Sequence, residues 1–170
     1  MKLFKREKET YAHLLHAGVC EKGLVPNCYG WLKLSAAHVK AIARLAPDLT
    51  YCQSETLEDP RRKVRKGRPP KGILLEYFPD AQTISIDNVT HALAERAVRS
   101  LHAIHAAYVR HGDIKRQNIL VLPGGRVVWV DFNSAMCASD RQLTRWDLYM
   151  EFQEGWDTFY MHLVSIIMWY

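Results

Sequence analysis

Two β-rich runs, Ile119-Leu120-Val121-Leu122 and Val127-Val128-Trp129-Val130, flank the turn Pro123-Gly124-Gly125-Arg126. That pattern predicts an antiparallel hairpin, and a hairpin dictates what happens at its open end. Asn118 stands just before the first strand and Asp131 just after the second. Pairing makes them neighbours, with α-carbons roughly 4.5–5.5 Å apart. An amide oxygen and a carboxylate that converge there are hard ligands, suited to Mg²⁺ beside a phosphate. Asp113 lies five residues before Asn118 with Lys115 between them. The stretch therefore offers a proton acceptor, a cation for a transferring phosphoryl group and two metal ligands. Phosphoryl transfer needs little more from a protein than such positioning and electrostatics.

The surroundings predict an α+β fold. Tyr11, Leu14, Leu15 and Val19 recur at helical spacing and predict a helix from Arg6 to about Ala17, ended near Gly18 and Gly23. Leu24–Leu34 reads as short strands and a turn, and Ala36–Leu45 as a helix or an insert with little strand character. Gly72–Phe78 reads as a buried strand ended by Pro79. Leu93, Ala94, Ala97, Val98, Leu101, Ile104 and Tyr108 mark one face of a helix over Val89–Tyr108, with Asp87 or Asn88 as its N-cap. His102 and His105 on it lack a third ligand and read as ordinary side chains rather than a metal pair. Polar residues 109–118 form a loop. Trp146, Leu148, Tyr149, Phe152, Trp156, Phe159 and Tyr160 predict an aromatic-rich helix packed on the helical part of the fold.

Charge and length exclude several classes. The 170 residues carry 23 Lys+Arg against 18 Asp+Glu, and the 48% hydrophobic content suits a globular domain with a real core. No apolar run approaches the ~20 residues of a membrane span. The N-terminus becomes charged too soon for a signal-peptide core. Cys20, Cys28, Cys52 and Cys137 form no C-x-x-C pair and read as reduced thiols. An intracellular protein, cytoplasmic or nuclear, is the expectation. The basic excess sits in one segment holding Arg61, Arg62, Lys63, Arg65, Lys66, Arg68 and Lys71, inside an expected loop over Asp48–Lys71. It suits either an exposed insertion without a partner, or a nuclear-import or phosphate-binding strip.

At this point the sequence resembles a family. His111-Gly112-Asp113-Ile114-Lys115-Arg116-Gln117-Asn118 resembles the H-R-D-x-x-x-x-N loop of protein kinases with Gly in place of Arg, and Asp131-Phe132-Asn133 resembles their D-F-G with Asn in place of Gly. The H-G-D form is shared with kinase-like phosphotransferases acting on aminoglycosides or choline. Lys115 is what Ser/Thr protein kinases place two residues after the Asp. The whole is similar to the compact protein-kinase-like proteins of fungi.

The resemblance implies a two-lobe fold over 1–170. A truncated small β lobe would occupy 1–78, with the basic insert at about 48–71, and a mainly helical large lobe 79–170. It implies Glu7 as the helix Glu of the phosphate-holding ion pair, and Leu75, Glu76 and Phe78 as the gatekeeper and hinge that receive adenine. Asn118 and Asp131 would hold Mg²⁺, with Asp113 and Lys115 catalytic. The implied activity is ATP- and Mg²⁺-dependent transfer of the γ-phosphate to a hydroxyl, on a protein or a small molecule. No G-x-G-x-x-G precedes Glu7 and no A-P-E follows Asp131, so an inactive, pseudokinase-type binding module is a second reading. A nucleic-acid-associated module using the 61–71 run is a third.

Overall fold

The computed structural model describes residues 2–45, 67, 69–138, 140 and 142–164. Cys52 and the basic residues Arg61, Arg62, Lys63, Arg65, Lys66 and Arg68 lie outside the described residues, as does most of the expected loop over Asp48–Lys71. The chain is α+β, with helices and small antiparallel sheets. It divides into two compact units, 1–28 with 75–170, and 29–74.

The larger unit opens on helix α1, Lys2–His16, which starts four residues earlier than the apolar spacing suggested. Tyr11 and Leu14 are fully buried, but Leu15, expected on the same face, is exposed. Gly18 takes a left-handed conformation just past the helix, where Val19 N donates to Leu14 O at 2.9 Å. Glycine reaches this conformation without a Cβ penalty, and it satisfies carbonyls the helix end would orphan.

Helix α3, His91–Ala106, is capped by Thr90, whose hydroxyl accepts from Leu93 N. Neither expected cap serves. Asn88 instead accepts from Ser85 N and donates to Thr83 O, shaping the turn before the helix. The α3 face formed by Ala94, Ala97, Val98, Leu101 and Ile104 is buried as its spacing implies, whereas Tyr108 is exposed. Tyr108 leaves the face because its backbone turns to φ 55° beyond the helix end.

The hairpin consists of β5 (Ile119–Val121) and β6 (Val127–Trp129), with Ile119 opposite Trp129. The short strand β3 (Gln82–Thr83) extends it on the β5 side. Trp129 is fully buried and its indole N–H donates to Ala97 O of α3 at 3.2 Å, which ties sheet to helix. The expected loop over 109–118 is more structured than its polarity suggested. It begins with strand β4 (Val109–Arg110), paired with β7 (Met136–Cys137), and ends in a 3₁₀ turn at Arg116–Asn118. Helix α4, Arg145–Trp156, starts at a reciprocal box between Thr144 and Asp147 and continues as a π-helical stretch over Asp157–Val164.

The smaller unit holds most of β1 (Cys28–Lys33), helix α2 (Ala36–Leu45) and most of β2 (Lys71–Leu75). The two strands pair, and Leu34 N donates to Pro70 O at 2.7 Å. Ser35 and His38 hydrogen-bond reciprocally where α2 begins. The expected buried strand over Gly72–Phe78 is shorter and more open than its apolar run implied: it ends at Leu75, Leu74 is 54% exposed and Tyr77 82%. A short two-stranded sheet has too little cover to bury both faces.

Candidate active site

The segment 111–118 is shaped by three anchors. His111 is fully buried between the Phe132 and Trp129 rings, with centroids 4.5 and 5.3 Å away, and its Nε2 donates to Val130 O at 2.9 Å. Gly112 sits at φ 81°, and a Cβ there would collide with the Ser134 carbonyl oxygen. Glycine at this position is therefore a requirement of how the chain passes residue 134.

The third anchor is Glu151 of α4, 1% exposed. Its carboxylate accepts from His111 N at 2.7 Å, from Gly112 N at 2.6 Å and from His105 Nε2 at 2.8 Å, with Arg110 Nε 3.8 Å away. Burial pushes its pKa up, but these donors outweigh burial and hold it below the ordinary range. The sequence reading missed Glu151. Its signal was an acid in register with Leu148 and Gly155 on a stripe that has to be buried. It also makes His105 a partner of this carboxylate rather than an isolated side chain.

These anchors present Asp113, Lys115 and Asn118 together. Lys115 Nζ lies 2.7 Å from Asp113 Oδ1. The Asn118 amide nitrogen donates to Asp113 O at 2.9 Å and to Asp113 Oδ2 at 3.0 Å. Partial burial opposes ionisation of Asp113, but the Lys115 and Asn118 hydrogen bonds outweigh it and keep the carboxyl below its usual range. The Asp113 contact raises the Lys115 ammonium.

Asp131 enters from the other strand. The register places Asn118 opposite Val130, whose N–H donates to Asn118 O at 2.9 Å, so Asp131 lies one residue beyond the direct opposition expected. Its backbone is left-handed, φ 64° and ψ 67°, and starts the 3₁₀ turn Phe132–Ser134. Such a conformation in a non-glycine residue costs energy and persists only where its surroundings impose it. Here α1 packs on that turn, with the Tyr11 and Phe132 rings edge to face at 5.5 Å. The same packing brings Glu7 near. Burial first, and the Asp131 charge second, raise the Glu7 carboxyl. Asp131 also raises Lys115 electrostatically, so its charge reaches both Glu7 and Lys115.

The remaining expected residues, Leu75, Glu76 and Phe78, have local partners of their own. Leu75 ends β2 half-buried. The Glu76 carboxylate accepts from Asn27 N and Nδ2 at 3.1 and 3.0 Å, and Glu76 N donates to Asn27 O. Phe78 lies under the Arg126 guanidinium, 5.4 Å from its ring centre, in a concavity of about 370 Å³ shared with Pro79, Leu122 and Pro123. Glu76 is thus committed to Asn27, and Phe78 to the hairpin turn.

Among the described residues no group of three or more His, Cys, Asp or Glu is arranged to hold a metal ion. Asp113 itself is engaged by Lys115 and Asn118. Asn118 turns its amide nitrogen to Asp113, so its side-chain oxygen is not the atom used in that bond. Among the described residues no helix is long and apolar enough to cross a membrane. No protein-family model matches the chain, and a comparison with curated proteins finds no match.

Proposed function

We propose that the chain carries a protein-kinase-type phosphotransfer site, in a two-lobe arrangement, that moves the γ-phosphate of ATP to a hydroxyl. The observation that carries this reading is the joint placement of Asp113, Lys115 and Asn118, with Asp131 in electrostatic reach. In this reading the acceptor oxygen bonds to the γ-phosphorus as the bond to the ADP oxygen breaks, and Asp113 takes the hydroxyl proton. Its lowered pKa keeps the carboxylate ionised at neutral pH. Lys115, 64% exposed beside it, offers positive charge to the transferring group. Asn118 and Asp131 would hold Mg²⁺, which offsets phosphate charge when bound. Glu7, whose carboxyl the Asp131 charge reaches, would orient a phosphate-binding cation.

Thermal unfolding with and without Mg²⁺-ATP tests the reading. Nucleotide at ~100 times its dissociation constant should stabilise the fold by about 2.7 kcal/mol, a rise of about 5–10 °C for a chain of this size. Asp131→Ala should lose the rise. Asp113→Asn should keep it but lower phosphate transfer by about 100-fold or more. A cooperative melt that ignores Mg²⁺-ATP discards the reading. A Mg²⁺-dependent rise without turnover on any hydroxyl acceptor leaves a nucleotide-binding module instead.

A further inference from the structure

Helix α4 meets α3 along the stripe that buries Leu148, Glu151 and Gly155, and so closely that a Cβ at Gly155 would meet Leu101 Cδ2 at 2.7 Å. The aromatics expected to pack inward do so only in part. Phe159 is fully buried, whereas Trp146, Tyr149 and Trp156 are exposed. Beside the Gly155 contact the larger side chains of the two helices leave a cavity of about 630 Å³, a size usual for a small-molecule site.

Rings stand at both ends of this cavity. His102 lies edge to face with Phe152 at 6.0 Å, and His91 edge to face with Tyr160 at 5.7 Å. Between them the lining includes the buried Val98 and the Trp156 indole, one face of which stacks on Tyr160 at 4.1 Å. Such walls favour an aromatic group over an aliphatic one. The polar lining is solvent-facing. Glu95 and Arg99, one turn apart on α3, pair through Oε1 and Nη2, with side chains 45% and 78% exposed. Among the described residues neither Glu95 Oε2 nor the rest of the Arg99 guanidinium has a hydrogen-bond partner. The Glu95 charge reaches into the cavity, because after burial it is the main cause that raises the Tyr160 phenol, with Arg99 opposing. A free carboxylate oxygen beside free guanidinium N–H groups matches a ligand carrying an ammonium and a carboxylate close together. A ligand with one charge alone would meet the like charge of the pair. A nucleoside fits poorly, since its base edge would have to face the solvent side and push the sugar inward.

We propose that the α3–α4 cavity binds a free aromatic amino acid, its ring against Trp156, its ammonium on Glu95 and its carboxylate on Arg99. This inference stands whether or not the site at Asp113 transfers phosphate.

Isothermal titration calorimetry of the full chain with L-phenylalanine tests it. A ligand of that size should bind with a dissociation constant of roughly a millimolar or tighter. 3-Phenylpropionate, which lacks the ammonium, and 2-phenylethylamine, which lacks the carboxylate, should each bind about fivefold more weakly. L-Alanine, without a ring, should not bind measurably. Glu95→Gln and Arg99→Gln should each weaken L-phenylalanine by a similar factor, with unchanged circular dichroism because both side chains are exposed. Trp156→Ala should weaken it by about tenfold or more. The proposal is overturned if about 10 mM L-phenylalanine gives neither saturable heat nor a higher melting temperature. Binding of L-alanine or guanosine as tight as that of L-phenylalanine, or binding indifferent to Arg99→Gln, overturns it equally.

Discussion

The residue that organises the site is not one of those that would meet a ligand. Glu151 holds the N–H groups of His111 and Gly112 on separate carboxylate oxygens. A glutamine there keeps one oxygen acceptor and turns an amide N–H toward the other donor, so one backbone group is left buried and unsatisfied. Glu151→Gln should therefore cost about 2–4 kcal/mol of stability. The readout is urea unfolding. A loss under ~1 kcal/mol would mean that the carboxylate is dispensable there. Substitution of Asp113 or Lys115 carries no such penalty, because both reach partly into solvent.

At the scale of elements, local signals were legible and non-local ones were not. The hairpin was readable because turn and strands are contiguous, and α3 because five buried apolar residues repeat at its period. The cap of α3 was misassigned because Asn88 and Thr90 both suit it. The choice was settled by Asn88's bonds to Ser85 and Thr83 in the preceding turn. The placement of Glu7 beside Asp131 depends on how α1 packs against a turn more than 100 residues later, which spacing cannot disclose. Nor could spacing tell which stripe of α4 faces inward, since large apolar residues occur on more than one side: Leu148 is buried while Trp146, Tyr149 and Met150 are exposed. For α4 itself, Thr144 and Asp147 cap the start reciprocally. Thr144→Ala should lower stability by about 1 kcal/mol, visible as a lower denaturant midpoint with an unchanged slope. An unshifted midpoint would show that the helix start is fixed by packing alone.

For the whole molecule, the buried titratable groups set a pH dependence. Burial keeps His111 neutral and lowers its pKa below the ordinary 6.5, although Glu151 and the Val130 carbonyl oppose this. The unfolded chain then binds a proton that the folded chain refuses. The stability His111 confers is complete above pH 6.5 and is lost as pH falls toward its folded value. Glu151, held below 4.5 despite its burial, adds a second loss as pH falls through its own folded value. Glu7, raised by burial and by Asp131, works in the opposite sense and softens the lower step. The melting temperature should hold between pH 7 and 8 and begin to fall below about 6.5. A flat profile from pH 7.5 to about 5.5 would rule out a buried neutral His111.

The Glu151 clasp also fixes an order of events in time. The hydrogen bonds that shape the loop join residues 39 and 40 positions apart, so their closure entropy has to be met before the loop gains anything from them. The hairpin can form from its own residues within microseconds. Residues 111–113 cannot take their final shape until α4 has docked on α3. A partly folded chain can therefore hold the strands that flank the site without the geometry between them, and whatever chemistry the site performs waits on that docking step.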